Sequence, residues 1–411
     1  MGQVKSLRTE NKFKKTEIGE IPVDWEVVNL GEVTQLIMGQ SPPSESYFEF
    51  VNGIPFFQGN SEFGTKFPKI LKWCNSPRKL AEKGDILVSV RAPVGDINIA
   101  PVECCIGRGL AALRGTKIYN DYLYFVMNYF KDTLVKIGQG STFEAINKKD
   151  LFKLKIPFPI ISEQKKIAEI LISVDEAIDK KQEIIERTKM LKKGLMQELL
   201  TCGIGHKKFK NTEIGEIPVD WKVKKIKDTG KIITGNTPPT KNLEYYNNDY
   251  LWATPGDLGT NKYIEFTARM LSRKGIKVSR LIPRDSILVV CIGSTIGKVG
   301  MALHDMATNQ QINSIICNKS WNPHFVYYWM LENSDYLVMM AGKHAVPIIN
   351  KTLFSLFSIP NPSKDEQSTI GLILNSLDEE IEKEIAHKER LEGIKKGLMQ
   401  VLLTGKIRAK I

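Results

Sequence analysis

The chain has 411 residues, 42% of them hydrophobic and 25% charged, with 58 Lys and Arg against 46 Asp and Glu for a net charge of +12. That make-up suits two or three domains, each with its own core. It excludes a helical membrane protein, since no apolar run approaches the roughly 18 residues that span a bilayer. The start, MGQVKSLRTENKFKK, is polar and basic and has no apolar stretch of the kind a secretory signal needs. Six cysteines form no CxxC pair and no Cys/His ligand spacing, so free thiols in a reducing cytoplasm are expected. The positive excess fits a polyanionic partner, nucleic acid being the commonest. It fits a generally basic surface with no specific partner equally well.

Along the chain the dominant feature is repetition. TEIGEIPVDW stands at Thr16–Trp25 and recurs letter for letter at Thr212–Trp221. MGQSPP at Met38–Pro43 answers TGNTPP at Thr234–Pro239, and GDILVSV at Gly84–Val90 answers RDSILVV at Arg284–Val290. INKKDLFKLKIPFP at Ile146–Pro159 answers INKTLFSLFSIPNP at Ile349–Pro362. Glu163-Gln164 matches Glu366-Gln367, and GLMQELLT at Gly194–Thr201 matches GLMQVLLT at Gly397–Thr404. The chain is two copies of one unit of about 200 residues.

The first part of each unit reads as α+β: short β-rich runs such as DILVSV and SILVV are bounded by Gly, Pro, Asn and Asp. One aromatic stretch in each, NDYLYFVMNYF and NPHFVYYWMLE, is expected to be helical. The second part is one long helix, over Ser162–Thr201 and Lys364–Thr404. Ile167, Ile170, Val174, Ile184, Leu191 and Leu195 form an apolar stripe in the first helix; Ile370, Ile373, Leu377, Ile381, Ile394 and Leu398 do so in the second. Pro159 and Pro362 precede the helices, and Gly203 and Gly405 follow them. About 40 residues make a rod of roughly 60 Å. A rod with one stripe needs a partner, and its antiparallel twin is the obvious one. Gly194 and Gly397, inside the pattern, suggest close helix approach or a kink. The domains expected are 1–160 (globular), 161–205 (helix), 206–361 (globular) and 362–411 (helix).

No catalytic constellation emerges. GSTIGKVG at Gly293–Gly300 has the wrong spacing for a phosphate-cradling loop, and no GxGxxG or HExxH occurs. Asp85 and Asp285 read as turn residues at the start of a strand rather than as a nuclease centre. What remains is a set of polar, Gly-containing loops beside β-rich runs. In the first unit these carry Gln40, Ser41, Gln58, Asn60, Arg91, Arg108, Gln139, Ser141 and Thr142. In the second they carry Asn236, Thr237, Thr254, Asp257, Ser294, Thr295, Lys298, Asn309, Gln310, Lys343 and His344. Arg and Lys suit guanine edges, Asn and Gln suit adenine, and surrounding cations suit phosphates. Closely matched segments should face one repeated partner, and divergent loops should face unlike surfaces.

The order of these elements resembles the specificity subunit of type I restriction-modification systems over roughly residues 13–408. The resemblance rests on Trp25, Leu30 and Gly31, on the GQSPP and GNTPP turns, and on CIGRGLAALR. It rests also on STIGKVGMALHDMATNQQINSI, on IPFP and IPNP before Glu-Gln, and on the helix ends LKKGLMQELLTCG and IKKGLMQVLLTGK. It implies two target recognition domains, about 13–159 and 209–360, each binding one half of a bipartite, asymmetric double-stranded DNA site. It implies two helices, about 162–203 and 363–406, forming an antiparallel coiled coil that measures the spacer. It implies no active site and no cofactor in this chain. Partners would be two modification subunits carrying S-adenosylmethionine, joined in the cytoplasm by restriction subunits using ATP and magnesium. The departure of APVGDINIA from STIGKVGMA fits unlike half-sites. The alternatives are an enzyme with fused methyltransferase and nuclease functions, for which two repeats leave little room, and a coiled-coil scaffold with no nucleic-acid affinity.

Overall fold

The computed structural model describes residues 12–139, 144–259, 261–342 and 347–409. The chain forms two compact units, one of residues 1–182 with 387–411 and the other of 183–386. Four of its helices are α1 (Asn120–Tyr129), α2 (Ile161–Thr201), α3 (Pro323–Glu332) and α4 (Lys364–Leu402).

In the first unit, strand Ile86–Ser89 pairs antiparallel with Ile97–Ile99 on one side and Leu110–Gly115 on the other, and Thr34–Met38 closes this four-stranded sheet. All of Ile86–Ser89 is buried, as its unbroken apolar run requires. A second sheet joins Ile54–Phe57 in parallel with Cys104–Ile106. The second unit repeats the plan. Ile287–Val290 is the buried central strand, between Ile312–Cys317 and Val299–Ala302. Trp252 and Ala253 pair in parallel with Ala307 and Thr308 in the smaller sheet. Helices α1 and α3 are apolar on every face, and Tyr122–Met127 and Phe325–Met330 are accordingly buried in the two main cores. The expected α+β architecture is what the chain adopts in both units.

Each long helix starts at the Glu-Gln pair. Gln164 donates to the Pro159 carbonyl (2.8 Å) and accepts from the Tyr119 amide (2.9 Å), tying the first turn of α2 to the start of α1. Gln367 does the same with Pro362 (3.1 Å) and the Asn322 amide (2.8 Å). Glu163 is almost wholly buried, and its carboxylate accepts from the Trp25 indole at 3.0 Å and from Arg408 at 2.6 and 2.8 Å. Arg408 also grips Asp24 through two 2.8 Å bonds, which hold that carboxyl below its ordinary range. In the second unit Glu366 accepts from the Trp221 indole (3.0 Å) and from the Ile204 amide (2.9 Å), with His206 Nε2 at 2.9 Å where the first unit has Arg408.

The start of one long helix thus meets residues just past the end of the other, and the two run antiparallel within each unit. Asp175 of α2 pairs with Lys395 of α4 at 2.6 Å in the first unit, and Lys192 with Asp378 in the second. Gly203 and Gly405, both at φ +67°, end the helices as expected. A Cβ at Gly405 would lie 2.4 Å from the Pro22 ring, and one at Gly203 would lie 2.6 Å from the Trp221 ring. The close approach suggested for Gly194 and Gly397 is absent, because both are exposed with nothing near their Cβ positions, and the helix runs on through each.

The apolar stripe needs correction. Ile167, Ile370 and Ile381 are buried, and Ile170, Val174, Leu195, Ile373, Leu377 and Leu398 are half-buried. Ile184, Leu191 and Ile394 instead face solvent at 41%, 54% and 45% exposure, while Ile185 (1%), Met196 and Leu199 turn inward. A straight helix drifts about 20° per heptad against a strict seven-residue repeat, so a stripe extrapolated from one end leaves the seam before the other.

In the second unit the globular part is keyed to α4 by a buried lysine. Lys262 Nζ stands 3.0 Å from His324 Nδ1 and from Tyr328 Oη and donates to Asn375 of α4. Tyr328 Oη donates to Asp378 at 2.6 Å. Burial pushes the Lys262 amine down to about 8 and lowers His324 as well. The first unit has Phe125, without a hydroxyl, at the corresponding place in α1.

Two outcomes are expected. Arg408→Ala strands a buried carboxylate and should cost about 3 kcal/mol in urea unfolding, whereas His206→Ala should cost less because the Ile204 amide and the Trp221 indole remain. The folded-state value of Lys262 lies below the 10.5 of a free lysine, so the folded chain gives up this proton first. Stability should therefore rise as pH climbs from about 8 towards 10.5, and Lys262→Met should flatten that rise in unfolding midpoints measured across the window.

Candidate nucleic-acid interface

In the first unit three loops meet at one end of the sheets. Gly39 donates to the Leu110 carbonyl (2.9 Å) and Gln40 to Ile106 (3.0 Å). Gly107 donates to Phe57 (2.8 Å) and Gly109 to Gln58 (3.2 Å). A Cβ at Gly39 would lie 2.1 Å from the Gly107 carbonyl oxygen, so only glycine allows this approach. Gln40, Ser41, Gln58 and Arg108 are thereby brought together, with Ser41 Oγ accepting from the Arg108 amide at 3.3 Å. The side chains of Gln40, Gln58 and Arg108 are exposed.

The second unit uses the same frame. Gly235 donates to Ile312 (3.0 Å), Asn236 to Thr308 (2.9 Å) and Asn309 to Ala253 (3.0 Å). Asn236, Thr237 and Gln310 therefore occupy the places held in the first unit by Gln40, Ser41 and Arg108. Thr237 donates to Gln310, as Ser41 accepts from the Arg108 amide in the first unit. Arg280 joins them: its amide donates to Asn236 Oδ1 (2.9 Å) and its guanidinium to the Thr234 carbonyl (2.7 Å). Lys79 takes the matching place in the first unit, where its carbonyl accepts from Ile106 at 3.0 Å. Neither cation lies in the polar Gly-containing loops. The available signal is a basic residue directly before a short strand, Leu80–Ala81 and Leu281–Ile282.

Other candidates divide. Arg91 and Ser294 are exposed, and Arg91 bridges to Ala145. Gln139 is exposed at the end of helix Lys131–Gln139. Thr295 and Lys298 are half-buried in the turn after Gly293, and Lys298 Nζ reaches the Pro255 carbonyl at 3.4 Å. Asn60 donates to Asp96 at 2.8 Å; burial raises that carboxyl, but bonds from Lys131 and Asn60 hold it below its ordinary value. Asp257 accepts from both the amide and the hydroxyl of Thr254 at 2.8 Å and from the Ala268 amide, so this pair closes a turn. Asn309 is corrected outright. It is 6% exposed and spends its side chain on Gln311, whose amide it receives at 3.0 Å. Ser141, Thr142, Lys343 and His344 lie outside the described residues.

No group of three or more His, Cys, Asp or Glu with metal-binding geometry occurs among the described residues. No helix there is long and apolar enough to cross a membrane. Each unit presents amide, hydroxyl and guanidinium tips on a hydrogen-bonded backbone frame, a donor and acceptor set suited to base edges. Gly39→Ala should force the crossing loops apart, costing about 2 kcal/mol and lowering the thermal midpoint, while Gly59→Ala, with open space around its Cβ, should not.

Comparison with known proteins shows the family. The family model for the type I restriction modification DNA specificity domain matches residues 22–189 and 218–392. The MjaVIII type I restriction enzyme specificity subunit of Methanocaldococcus jannaschii is 28% identical over 422 aligned residues, covering 98% of this chain and 97% of that one. The MjaX specificity subunit of the same organism is 46% identical over 209 residues, a match spanning 49% of each chain. The solved S subunit of the type I system of M. genitalium shares the fold at 16% identity, with a TM-score of 0.61 over 92% of this chain and 96% of that one. With the family match falling twice, once on each repeat, the chain belongs to the type I restriction-modification DNA specificity subunits.

Proposed function

We propose that the globular parts, 1–160 and 206–361, each read one half of a bipartite, asymmetric site in double-stranded DNA, and that the helical segments 161–205 and 362–411 set the gap between the halves. The observation that carries this reading is one backbone frame bearing Gln40, Ser41 and Arg108 in one unit and Asn236, Thr237 and Gln310 in the other. Arginine pairs best with guanine and glutamine with adenine, so two like frames select unlike bases. Arg91, Gln58, Lys79, Lys298 and Arg280 supply phosphate or further base contacts.

The chain itself performs no chemistry in this reading. It gathers two modification subunits, which carry S-adenosylmethionine and methylate adenine, and through them restriction subunits that use ATP and magnesium, in the cytoplasm. Two partners follow from two like docking surfaces. Leu191 and Ile394 stand at matching places in the repeats and are both exposed, offering the same helix face twice.

Arg108→Ala in the assembled complex should cost about 1–3 kcal/mol of affinity and relax base preference at one position of one half-site only. Loss spread evenly over all sequences would assign Arg108 to phosphate instead. Inserting seven residues into each long helix, near Ile184 and Ile385, adds about 10 Å and should widen the gap by about three base pairs with both halves unchanged. Altered half-sites would contradict the spacer role.

A further inference from the structure

The two units differ in length between two short strands beside the interface loops. In the first, Trp73–Cys74 leads to Leu80–Ala81 through NSPRK, which carries Arg78 and Lys79. In the second, Met270–Leu271 leads to Leu281–Ile282 through the longer SRKGIKVSR, which carries Arg273, Lys274, Lys277 and Arg280 and no carboxylate. The added residues make a short helix, Arg273–Lys277, capped by Ser272, whose Oγ accepts from the Gly275 amide at 3.1 Å. A Cβ at Gly275 would lie 2.0 Å from the Tyr245 carbonyl oxygen, so glycine lets this side of the helix sit against the backbone there. Arg273 and Lys277, four positions apart, share the opposite side, and both are exposed.

Asn236 ties this segment to the interface. Its Nδ2 donates to the Val278 carbonyl at 3.0 Å, directly after the helix, and its Oδ1 accepts from the Arg280 amide at 2.9 Å. Both ends of the side-chain amide are therefore engaged by the basic segment, whereas Gln40, at the same place in the first unit, is exposed. The Arg280 guanidinium adds a third bond, to the Thr234 carbonyl at 2.7 Å. These contacts hold the C-terminal end of the short helix beside the Gly235 turn, next to Thr237 and Gln310.

Folding does not account for these charges. Packing places no demand on an exposed side chain, and like charges four apart on a helix repel. Lys274 is paired with Glu244 at 2.9 Å, but Arg273 and Lys277 have no ion pair among the described residues. Two unneutralised cations thus stand on one side of the helix, about 6 Å apart at their Cβ atoms. A DNA strand carries one phosphate per roughly 3.4 Å of helix axis, so two long, flexible side chains at that spacing can each meet one. Phosphates flank every base edge that the neighbouring loops could read, which places a polyanion where these cations stand.

We infer that Arg273 and Lys277 form a phosphate anchor built into the second unit, with no counterpart in the shorter segment of the first. This rests on the reading that the globular parts bind DNA. The test uses the full chain assembled with its modification subunit and a duplex carrying the motif that the complex methylates. Affinity is measured from about 50 to about 200 mM salt for the unaltered chain and for Arg273→Ala with Lys277→Ala. Phosphate ethylation interference maps the contacts, and thermal midpoints check folding. The double variant should bind about tenfold more weakly at the lowest salt, and the slope of log affinity against log salt should flatten by about two. Interference should vanish at phosphates of the half-site that Arg108→Ala leaves unchanged, with the methylated motif the same. An unchanged slope, or interference lost in the other half-site, overturns the anchor and leaves DNA reading standing. A changed base preference would assign the two cations to base edges and likewise overturn it. An unaltered complex that prefers no duplex sequence overturns the DNA reading itself, and the inference falls with it.

Discussion

A carboxylate in the first turn of each long helix, buried at Glu163 and half-buried at Glu366, is the constraint on which the rest of the architecture turns. A charge removed from water must have its lone pairs filled. Glu163 meets that demand with the Trp25 indole and the Arg408 guanidinium. Glu366 meets it with the Trp221 indole, the Ile204 amide and His206. Each set draws on three places in the chain: the tryptophan that closes the repeated TEIGEIPVDW, the start of one long helix, and the residues just past the end of the other. Filling the carboxylate therefore dictates that the helices run antiparallel, and it does so in both units. The glycines at φ +67° let the chain turn tightly enough for this, with Pro22 and Trp221 packed where a Cβ would otherwise stand.

On that shared base the units differ. Lys262, His324, Tyr328 and Asn375 key the second globular part to its helix through buried polar contacts, while Phe125 offers the first no hydroxyl for such a network. At the sheet ends the backbone bonds of Gly39 and Gly235 are the same, yet the side chains presented are not. In the proposed reading, a duplicated frame with divergent tips lets one polypeptide read two unlike short sequences.

Much of this was legible in the residues, because the strongest signals were long. The repeat, the α+β class of each half and the two long helices all show in patterns tens of residues wide. What failed was local. A stripe anchored at Ile167 places Ile184 and Leu191 inward, but helical drift turns Ile185 inward instead, and Asp175 and Lys192, beside the stripe residues Val174 and Leu191, carry ion pairs between the helices. Asn309 has a base-reading chemistry, yet its side chain is consumed by Gln311; Thr254 and Asp257 likewise satisfy each other. Polar composition of a loop does not say which side chains are already bonded. Arg280 and Lys79 are not legible in the local sequence because strand pairing carries them to the interface loops.

The central claim is that two like frames select two unlike half-sites at a set separation. Sequencing the methylated adenines in DNA from cells that carry this chain with its modification partner tests it most directly. One bipartite motif is expected, its two halves different in sequence and held apart by a gap of constant length and indifferent composition. A single uninterrupted motif, two identical halves, or a gap that varies freely from site to site would contradict it.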